Sequence, residues 1–379
     1  MPSIYVDHAA TTPMSAAALS AISDQMQKLG NPSSLHSHGR ATRKALEDAR
    51  EVIAQKIDCM PSEVIFTASG TEANNIALKG MFWNGAKIGK KVVVISAIEH
   101  HAILDPAHWL ETHEGAEVIT IGVNNDGVID LNSLRQVVAN RGSEIAVISI
   151  MHSNNETGVL QPIHEVVEIA GNIPVHTDAV QSFKKVDVSY KELGLTALTL
   201  SAHKIGGPLG VGALILRRAY EIPALLHGGG QEREIRSGTL NAPSIVAFAA
   251  AASDDYPREK IATLRDYFIS GVQNAIPDAF INGEKSSRLP GIVNVTFPGT
   301  QSDTLLLLLD SAQVSASTGS ACSAGVHEAS HVLLAMGHND TTAQSSLRFS
   351  LGSASTQADI DFVLSVLPDV IERGRAANK

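Results

Sequence analysis

Cysteine and aromatic residues are scarce in this chain. Its 379 residues include two cysteines, Cys59 and Cys322, and only 4% aromatic residues. So few cysteines exclude a disulfide-rich scaffold, and the first residues, MPSIYVDHAATTP, lack the basic and apolar stretches of a secretory signal. We therefore expect a protein of the reducing cytoplasm, in which each cysteine needs its own explanation.

Basic residues and long apolar runs are also lacking. The 29 Lys and Arg residues face 39 Asp and Glu residues, a formal net charge of −10, which disfavours nucleic acid as a direct partner. The longest leucine run, at 305–309, is too short to cross a bilayer and predicts a buried helix or strand. No membrane partner is therefore expected. The 15 histidines form no HExxH motif and there is no CxxC pair, so no metal site is expected either.

What the chain does contain is an alternation of short apolar runs with helical patterns. Hydrophobic residues make up 44% and charged residues 18%, an ordinary globular balance. Runs such as VVVIS (92–96) and IAVISIM (145–151) are apolar on both faces and are separated by helical segments. This pattern predicts an α/β fold with a mostly parallel sheet, whose carboxyl strand ends are the expected place for a ligand.

The order of the predicted helices and strands changes after about residue 254. Before the sheet, helical spacing predicts one long helix over 37–57. After it, helices are predicted over 243–252, 261–275 and 359–373, strands over 291–297 and 346–350, and a buried helix over 304–309. We expect a large domain, 15–254, and a small domain made of 1–14 and 255–379.

Polar residues follow four of the predicted strands. His100 comes after VVVIS, Asn155 after AVISI, Asp178 ends PVHTD, and Lys204 follows LTLSAH. An aspartate at the end of an apolar strand is costly if it stays buried and unpaired, so it needs a partner such as a protonated ring nitrogen. A lysine beside it needs an electrophile or a counter-charge, although a surface lysine at a strand end is the ordinary alternative.

The segment SGTE (69–72) opens a predicted helix. Free N–H groups at a helix start, with Gly70 permitting close approach, favour an anion such as a phosphate. The same residues also suit a plain N-cap. Pyridoxal 5'-phosphate (PLP) would satisfy every one of these needs, because its aldehyde bonds a lysine, its pyridinium pairs with an acid, and its phosphate binds a helix start.

Ten segments, in one order over nearly the whole chain, carry a resemblance to a known family. They are DHAATTP (7–13), GNPSSLH (30–36), TASGTEANN (67–75), EHHAIL (99–104), NNETG (154–158), HTDAVQS (176–182), SAHKIGGPLGVG (201–212), GGGQEREIRSGTLN (228–241), STGSACSAG (317–325) and SLRFSLG (346–352). Together they resemble the class V aminotransferase family of fold-type-I PLP enzymes, and specifically the NifS/IscS-type cysteine desulfurases. The joint match is highly specific, although several pieces alone are not.

The resemblance implies a fold-type-I homodimer whose smaller C-terminal domain is α+β. It implies that Lys204 holds PLP as a Schiff base, that Asp178 pairs with the pyridinium, and that His100 stacks on the ring and moves protons. Arg348 and Asn155 would clamp the substrate carboxylate, since the guanidinium fork suits that group. The further implied cofactor ligands are Gln181 and Asn155 at the ring oxygen, Gly70, Thr71, Ser201 and His203 at the phosphate, and Thr239 at the phosphate of a neighbouring subunit.

Cys322 is the residue that separates a desulfurase from its relatives. It lies among Ser, Thr, Ala and Gly only, a composition we expect of a loop. The resemblance implies that Lys204 removes the α-proton of bound L-cysteine and that the Cys322 thiolate takes the sulfur as a persulfide, leaving alanine. His100 is the expected proton acceptor for the thiol. Cys59 is expected to be an inert small hydrophobe.

Other functions stay open on the sequence alone. A selenocysteine lyase would need the same cysteine, whereas another class V aminotransferase would not need Cys322. A non-catalytic PLP-binding scaffold for sulfur assembly is disfavoured by the joint presence of Lys204, Asp178, Arg348 and Cys322. A nicotinamide dehydrogenase is set aside, since GGG (228–230) lacks the GxGxxG register after a strand. The expected sulfur acceptor is a protein, either an iron–sulfur scaffold or a tRNA-thiolation protein.

Overall fold

A computed structural model describes residues 3–319 and 329–378 of the chain. The strands are β1 (Ile4–Tyr5), β2 (Val64–Thr67), β3 (Val92–Ser96), β4 (Glu117–Ile121), β5 (Ile145–Ser149), β6 (Val175–Asp178), β7 (Ala197–Ser201), β8 (Gly212–Leu216), β9 (Phe280–Ile281), β10 (Ile292–Thr296), β11 (Val314–Ser315) and β12 (Ser346–Ser350). The helices are α1 (Ala16–Met26), α2 (Ser37–Ile57), α3 (Gly70–Ala86), α4 (His101–Glu114), α5 (Leu131–Arg141), α6 (Ile163–Ala170), α7 (Tyr190–Leu193), α8 (Ala242–Ser253), α9 (Arg258–Ala275), α10 (Ser302–Ser311), α11 (His331–Ala335), α12 (Asp340–Gln344) and α13 (Gln357–Ala377).

A seven-stranded sheet organises the first two thirds of the chain. Its strand order is β2-β8-β7-β6-β5-β3-β4, and every pairing is parallel except the two that β8 makes. The central strands are buried along their whole length, because helices cover both faces and their β-branched residues pack on either side. The predicted α/β class with a mostly parallel sheet is confirmed.

Two smaller sheets lie in the remainder. Strands β12, β10 and β9 form an antiparallel sheet, and β1 pairs in parallel with β11. One hydrophobic cluster joins Phe268, Phe297 and Phe349 with Val6 from the first residues of the chain. The amino-terminal segment therefore packs with the carboxyl-terminal third, which brings residues 7–10 to the end of the large sheet.

Two sequence-based expectations need correction or extension. The helix over the leucine run is amphipathic rather than buried: Leu305 and Leu309 face the core, whereas Leu307 is 74% exposed. Four-residue spacing on a helix explains this, because a run of leucines covers every face. The sequence analysis also missed the helices α1, α7, α11 and α12 and the strands β1, β9 and β11, which are short or weakly patterned. None of the helices in the described ranges is long and apolar enough to cross a membrane.

Candidate active site

A cavity of about 420 Å³ opens at the carboxyl ends of β3, β5, β6 and β7. Its volume lies within the usual range for a small-molecule site. Ten of the residues predicted from the sequence line this one cavity: Gly70, Thr71, His100, Asn155, Asp178, Gln181, Ser201, His203, Lys204 and Arg348.

Two predicted residues do not join this set. Thr239 is exposed and does not line the cavity of its own chain, so its contact with a neighbouring subunit stays a prediction. Cys322 lies outside the described residues. On either side of it, Ser317, Gly319 and His331 line the cavity wall.

Lys204 ends a short 3-10 turn, Ala202–Lys204, that follows β7. Its Nζ donates to the carbonyl oxygens of Ala9 and Ala10, both at 2.7 Å. Burial, reinforced by the charge of Arg348, lowers the pKa of the Lys204 amine to about 8, although Asp7 and Asp178 oppose the shift. A larger fraction of this amine is therefore unprotonated at neutral pH than in an ordinary lysine, which makes it a candidate nucleophile.

The glycines after Lys204 are required by the turn. A Cβ on Gly207 would lie 2.8 Å from the Cβ of Ala202, and Gly206 has a φ of +87°. Only glycine adopts this geometry without strain, so the sequence KIGG fixes the direction in which the lysine enters the cavity.

Asp178 ends β6 and is only 7% exposed. Its Oδ2 accepts a hydrogen bond from Asn74 Nδ2 at 2.6 Å, and its Oδ1 accepts one from the backbone N–H of Val180 at 2.9 Å. No cation forms a salt bridge with it in the part of the chain that the structure describes, although Lys204 is near enough to feel its charge, so a buried carboxylate faces the cavity without a directly paired cation. A protonated ring nitrogen in the cavity would supply that charge.

Sequence reasoning missed Asn74, which also lines the cavity. It lies on α3, three residues after Thr71, and helical spacing places both on the same face. The Oδ1 of Asn74 is buried without a partner among the described atoms. The spacing TEAN could have indicated Asn74, because a helix that presents Thr71 to a ligand presents residue 74 to it as well.

The predicted anion site, at the start of α3, lies where β2 and β7 end. Ser69 caps α3, its Oγ accepting from the N–H of Glu72 at 3.0 Å. A Cβ on Gly70 would lie 2.9 Å from Val180 Cγ2, so glycine lets this helix start approach the segment that follows β6. Burial, with the charges of Lys204 and Lys185, lowers the pKa of His203 to about 4, so that its ring is neutral at physiological pH. The free N–H groups of the helix start remain to bind an anion.

His100 is the N-cap of α4, which the sequence analysis did not foresee. Its Nδ1 accepts the backbone N–H of Ala102 at 3.0 Å. Burial, aided by the charge of Lys204, lowers the pKa of His100. The neutral ring therefore carries its hydrogen on Nε2, and in this geometry His100 is a hydrogen-bond donor. This geometry does not fit the expectation that His100 accepts the proton of the Cys322 thiol, because its Nδ1 already accepts the N–H of Ala102.

Arg348 lies on β12 and is 4% exposed. Its Nη2 donates to Asp7 Oδ1 at 2.8 Å and its Nη1 donates to the backbone oxygen of Asn155 at 2.9 Å. Its Nε is buried without a partner among the described residues. The guanidinium thus keeps donors available for a carboxylate, and Asp7, which the sequence analysis did not single out, holds it in place.

Further titratable groups line the same cavity beyond the predicted set. Glu156 accepts from Ser330 Oγ at 2.5 Å, and burial raises the pKa of its carboxyl. The His331 Nε2 donates to the backbone oxygen of Glu99 at 2.9 Å, and its ring lies 5.5 Å from that of His101. Within residues 3–319 and 329–378, no group of three or more His, Cys, Asp and Glu side chains could hold a metal ion.

Comparisons with known proteins agree with this geometry. The family model for class-V aminotransferases matches residues 4–363. The IscS-like cysteine desulfurase of Mycobacterium tuberculosis is 44% identical over 98% of this chain and 97% of its own length. The cysteine desulfurase IscS of Dictyoglomus turgidum is 42% identical over 98% and 95%.

Solved structures are similar over the whole chain as well. A NifS-like protein superposes with a TM-score of 0.89 at 32% identity, covering 98% of this chain and 100% of its own. The NifS-like protein of Rickettsia africae gives 0.87 at 33% identity, with 98% and 99% coverage. The chain therefore belongs to the class-V aminotransferase family, and within it to the NifS/IscS-like cysteine desulfurases.

Proposed function

We propose that this protein is a PLP-dependent cysteine desulfurase, which converts L-cysteine to L-alanine and carries the sulfur as a persulfide on Cys322. The observation that supports it most directly is the buried Asp178 carboxylate, which faces the cavity and forms no salt bridge within the described chain. The same cavity contains an amine with a lowered pKa, Lys204, and a helix start that suits an anion.

The residues present fit PLP at three points. Lys204 would bond its aldehyde carbon, and Asp178 would pair with its ring nitrogen. Gly70, Thr71, Ser201 and His203 would hold its phosphate, with a neutral His203 donating rather than pairing. When bound, PLP supplies an electron sink that stabilises negative charge on the substrate carbons.

The chain's own groups then orient the substrate and move its protons. Arg348, whose Nε is buried and unpaired among the described atoms, binds the carboxylate of L-cysteine. Lys204, whose pKa is lowered to about 8, would act as the base that removes the α-proton of the substrate. His100, with its hydrogen on Nε2, would donate a proton as charge leaves the substrate.

Sulfur transfer needs a thiolate, so the Cys322 thiol would first give up its proton to solvent. The Cys322 sulfur attacks the substrate sulfur, an S–S bond forms, and the C–S bond breaks with its electron pair left on the substrate carbon. That carbon takes up a proton and alanine leaves, so no external oxidant or reductant is needed. Cys59 does not suit this role, because burial raises the pKa of its thiol to about 12.

The domain division, assembly and compartment follow as parts of the same proposal. A large unit, 15–254, would hold the cofactor, and a small one, 1–14 with 255–379, would carry Arg348 and Cys322. Two chains would form a homodimer in which Thr239 reaches the partner's phosphate site. The sulfur would pass to an acceptor protein, an iron–sulfur scaffold or a tRNA-thiolation protein, in the cytoplasm, where thiols stay reduced.

The test is product formation from L-cysteine by wild type, Cys322→Ser and the matched control Cys59→Ser, each assayed for bound PLP. Wild type and Cys59→Ser should release equal amounts of alanine and sulfide in the presence of a reductant. Cys322→Ser should retain PLP and lose both products. A fully active Cys322→Ser protein would overturn the proposed persulfide on Cys322. If wild type acted on selenocysteine and not on L-cysteine, the proposed substrate would be wrong.

A further inference from the structure

Lys185 is a buried amine that the mechanism above does not use. It follows Gln181 by four residues, is 6% exposed, and forms no ion pair within the described ranges. Burial, with the charges of Lys204 and Arg348, lowers the pKa of Lys185 to about 7. A lysine kept in such a position without a counter-ion is costly unless its hydrogen bonds matter.

The side chain of Lys185 is hydrogen-bonded to one side chain of the cavity, Gln181. Its Nζ donates to Gln181 Oε1 at 3.0 Å, while Gln181 Nε2 donates to the backbone oxygen of Ala9 at 2.8 Å. The same Ala9 oxygen accepts from Lys204 Nζ at 2.7 Å. These hydrogen bonds connect Lys185 to Lys204 through the Gln181 amide and the carbonyl oxygen of Ala9, which both Gln181 and Lys204 share.

This arrangement permits one orientation of the Gln181 amide. If the amide were reversed, its oxygen would face the Ala9 carbonyl, and its N–H groups would face the N–H groups of Lys185. Both contacts would be repulsive while Lys185 is protonated, since only the neutral amine could accept an amide N–H. The second N–H of the amide has no acceptor among residues 3–319 and 329–378, and Gln181 lines the cavity. Gln181 therefore presents a hydrogen-bond donor, its second amide N–H, to the cavity.

We propose that Lys185 is a positioning residue that locks Gln181 as a donor toward the ring oxygen of the bound cofactor. The inference rests on the proposed function, since it needs PLP in the cavity. A donor at the ring oxygen stabilises the deprotonated cofactor. Without Lys185, Gln181 Oε1 loses its side-chain partner in a buried position, and the amide rotates to find another one.

The experiment is a pH titration of the visible absorbance of the holoenzyme, for wild type and Lys185→Met. Methionine keeps the unbranched apolar shape and removes the donor. We expect the midpoint to rise by about one pH unit, a tenfold change in proton affinity. Lys184→Met is the matched control, because Lys184 Nζ donates instead to the distant Ala251 carbonyl, and its midpoint should equal that of wild type. Lys185→Arg, which retains a donor, should have a midpoint close to that of wild type.

A double-mutant comparison separates positioning from a direct effect of charge. In a Gln181→Ala background, Lys185→Met should add nothing to the midpoint. An equal shift in both backgrounds, or no shift in Lys185→Met, would overturn the proposal. A wild type without any cofactor absorbance would instead overturn the proposed function, so the two failures are distinguishable.

Discussion

The rate at which Lys204 reacts with PLP should depend on pH, with a midpoint that is set by the surroundings of its amine and lies well below that of an exposed lysine. The structure lowers the pKa of this amine from 10.5 to about 8. That difference makes the unprotonated fraction about 300-fold larger at neutral pH than in an exposed lysine. Since only the unprotonated amine attacks an aldehyde, the rate of capture should rise through a midpoint near pH 8 and level off above it.

The assay uses apoprotein mixed with PLP at pH values from about 6 to about 10. The rise in visible absorbance gives the rate, and borohydride reduction followed by peptide mapping identifies the modified lysine. A midpoint above about 10, or reduction of a lysine other than Lys204, would refute the reasoning, because it would mean that the amine is neither buried nor near Arg348 as described.

Charge-removing variants test the cause of the shift. Arg348→Gln removes a positive charge near Lys204, so the pKa of the amine should rise and capture at pH 7 should slow. Asp7→Asn removes a negative charge that opposes the shift, so the pKa should fall and capture at pH 7 should accelerate. Shifts of equal sign in the two variants would show that general disruption, not electrostatics, is responsible.

Three further predictions concern the scaffold around the cavity. Glu232→Gln should lower the free energy of unfolding by about 3 kcal/mol, measured by urea unfolding, because it removes the charge that faces the buried Arg50 at 2.7 Å and leaves only the half-exposed Glu47 as its ion-pair partner. Glu234→Gly should raise the same quantity by about 1 kcal/mol, because Glu234 has a φ of +60° that glycine adopts without strain. Asn74→Ala should weaken PLP binding about tenfold, as it removes the 2.6 Å hydrogen bond to Asp178, measured by equilibrium titration of the apoprotein.

Two of these predictions, Glu234→Gly and Asn74→Ala, have a control in the same chain. Glu221→Gly, at an exposed residue with ordinary backbone angles, should not stabilise the protein, and a gain there equal to that of Glu234→Gly would contradict the strain argument. Asn75→Ala alters the neighbouring asparagine, whose Nδ2 donates only to the Thr71 carbonyl, and should leave PLP affinity unchanged. An Asn74→Ala protein with wild-type affinity would mean that Asp178 needs no orienting partner.

The sequence alone determined which residues could share a site. Asn155, Asp178 and Lys204 follow apolar strands, and parallel strands bring their carboxyl ends to one edge whatever the rest of the chain does. Periodicity also predicted the strand Val92–Ser96 and the helix Ser37–Ile57 with the bounds that the structure has. Local patterns suffice here because each element buries a face that its own residues define.

Tertiary structure alone decided the partners and the protonation of these residues. The carbonyl of Ala9 meets Lys204 across 195 positions, and Asp7 meets Arg348 across 341. No periodicity encodes such contacts, because they arise only when the amino-terminal segment packs on the last strands. The lowered pKa of Lys204 comes from burial and from charges brought together by folding, so the chemistry of this amine is a property of the whole molecule.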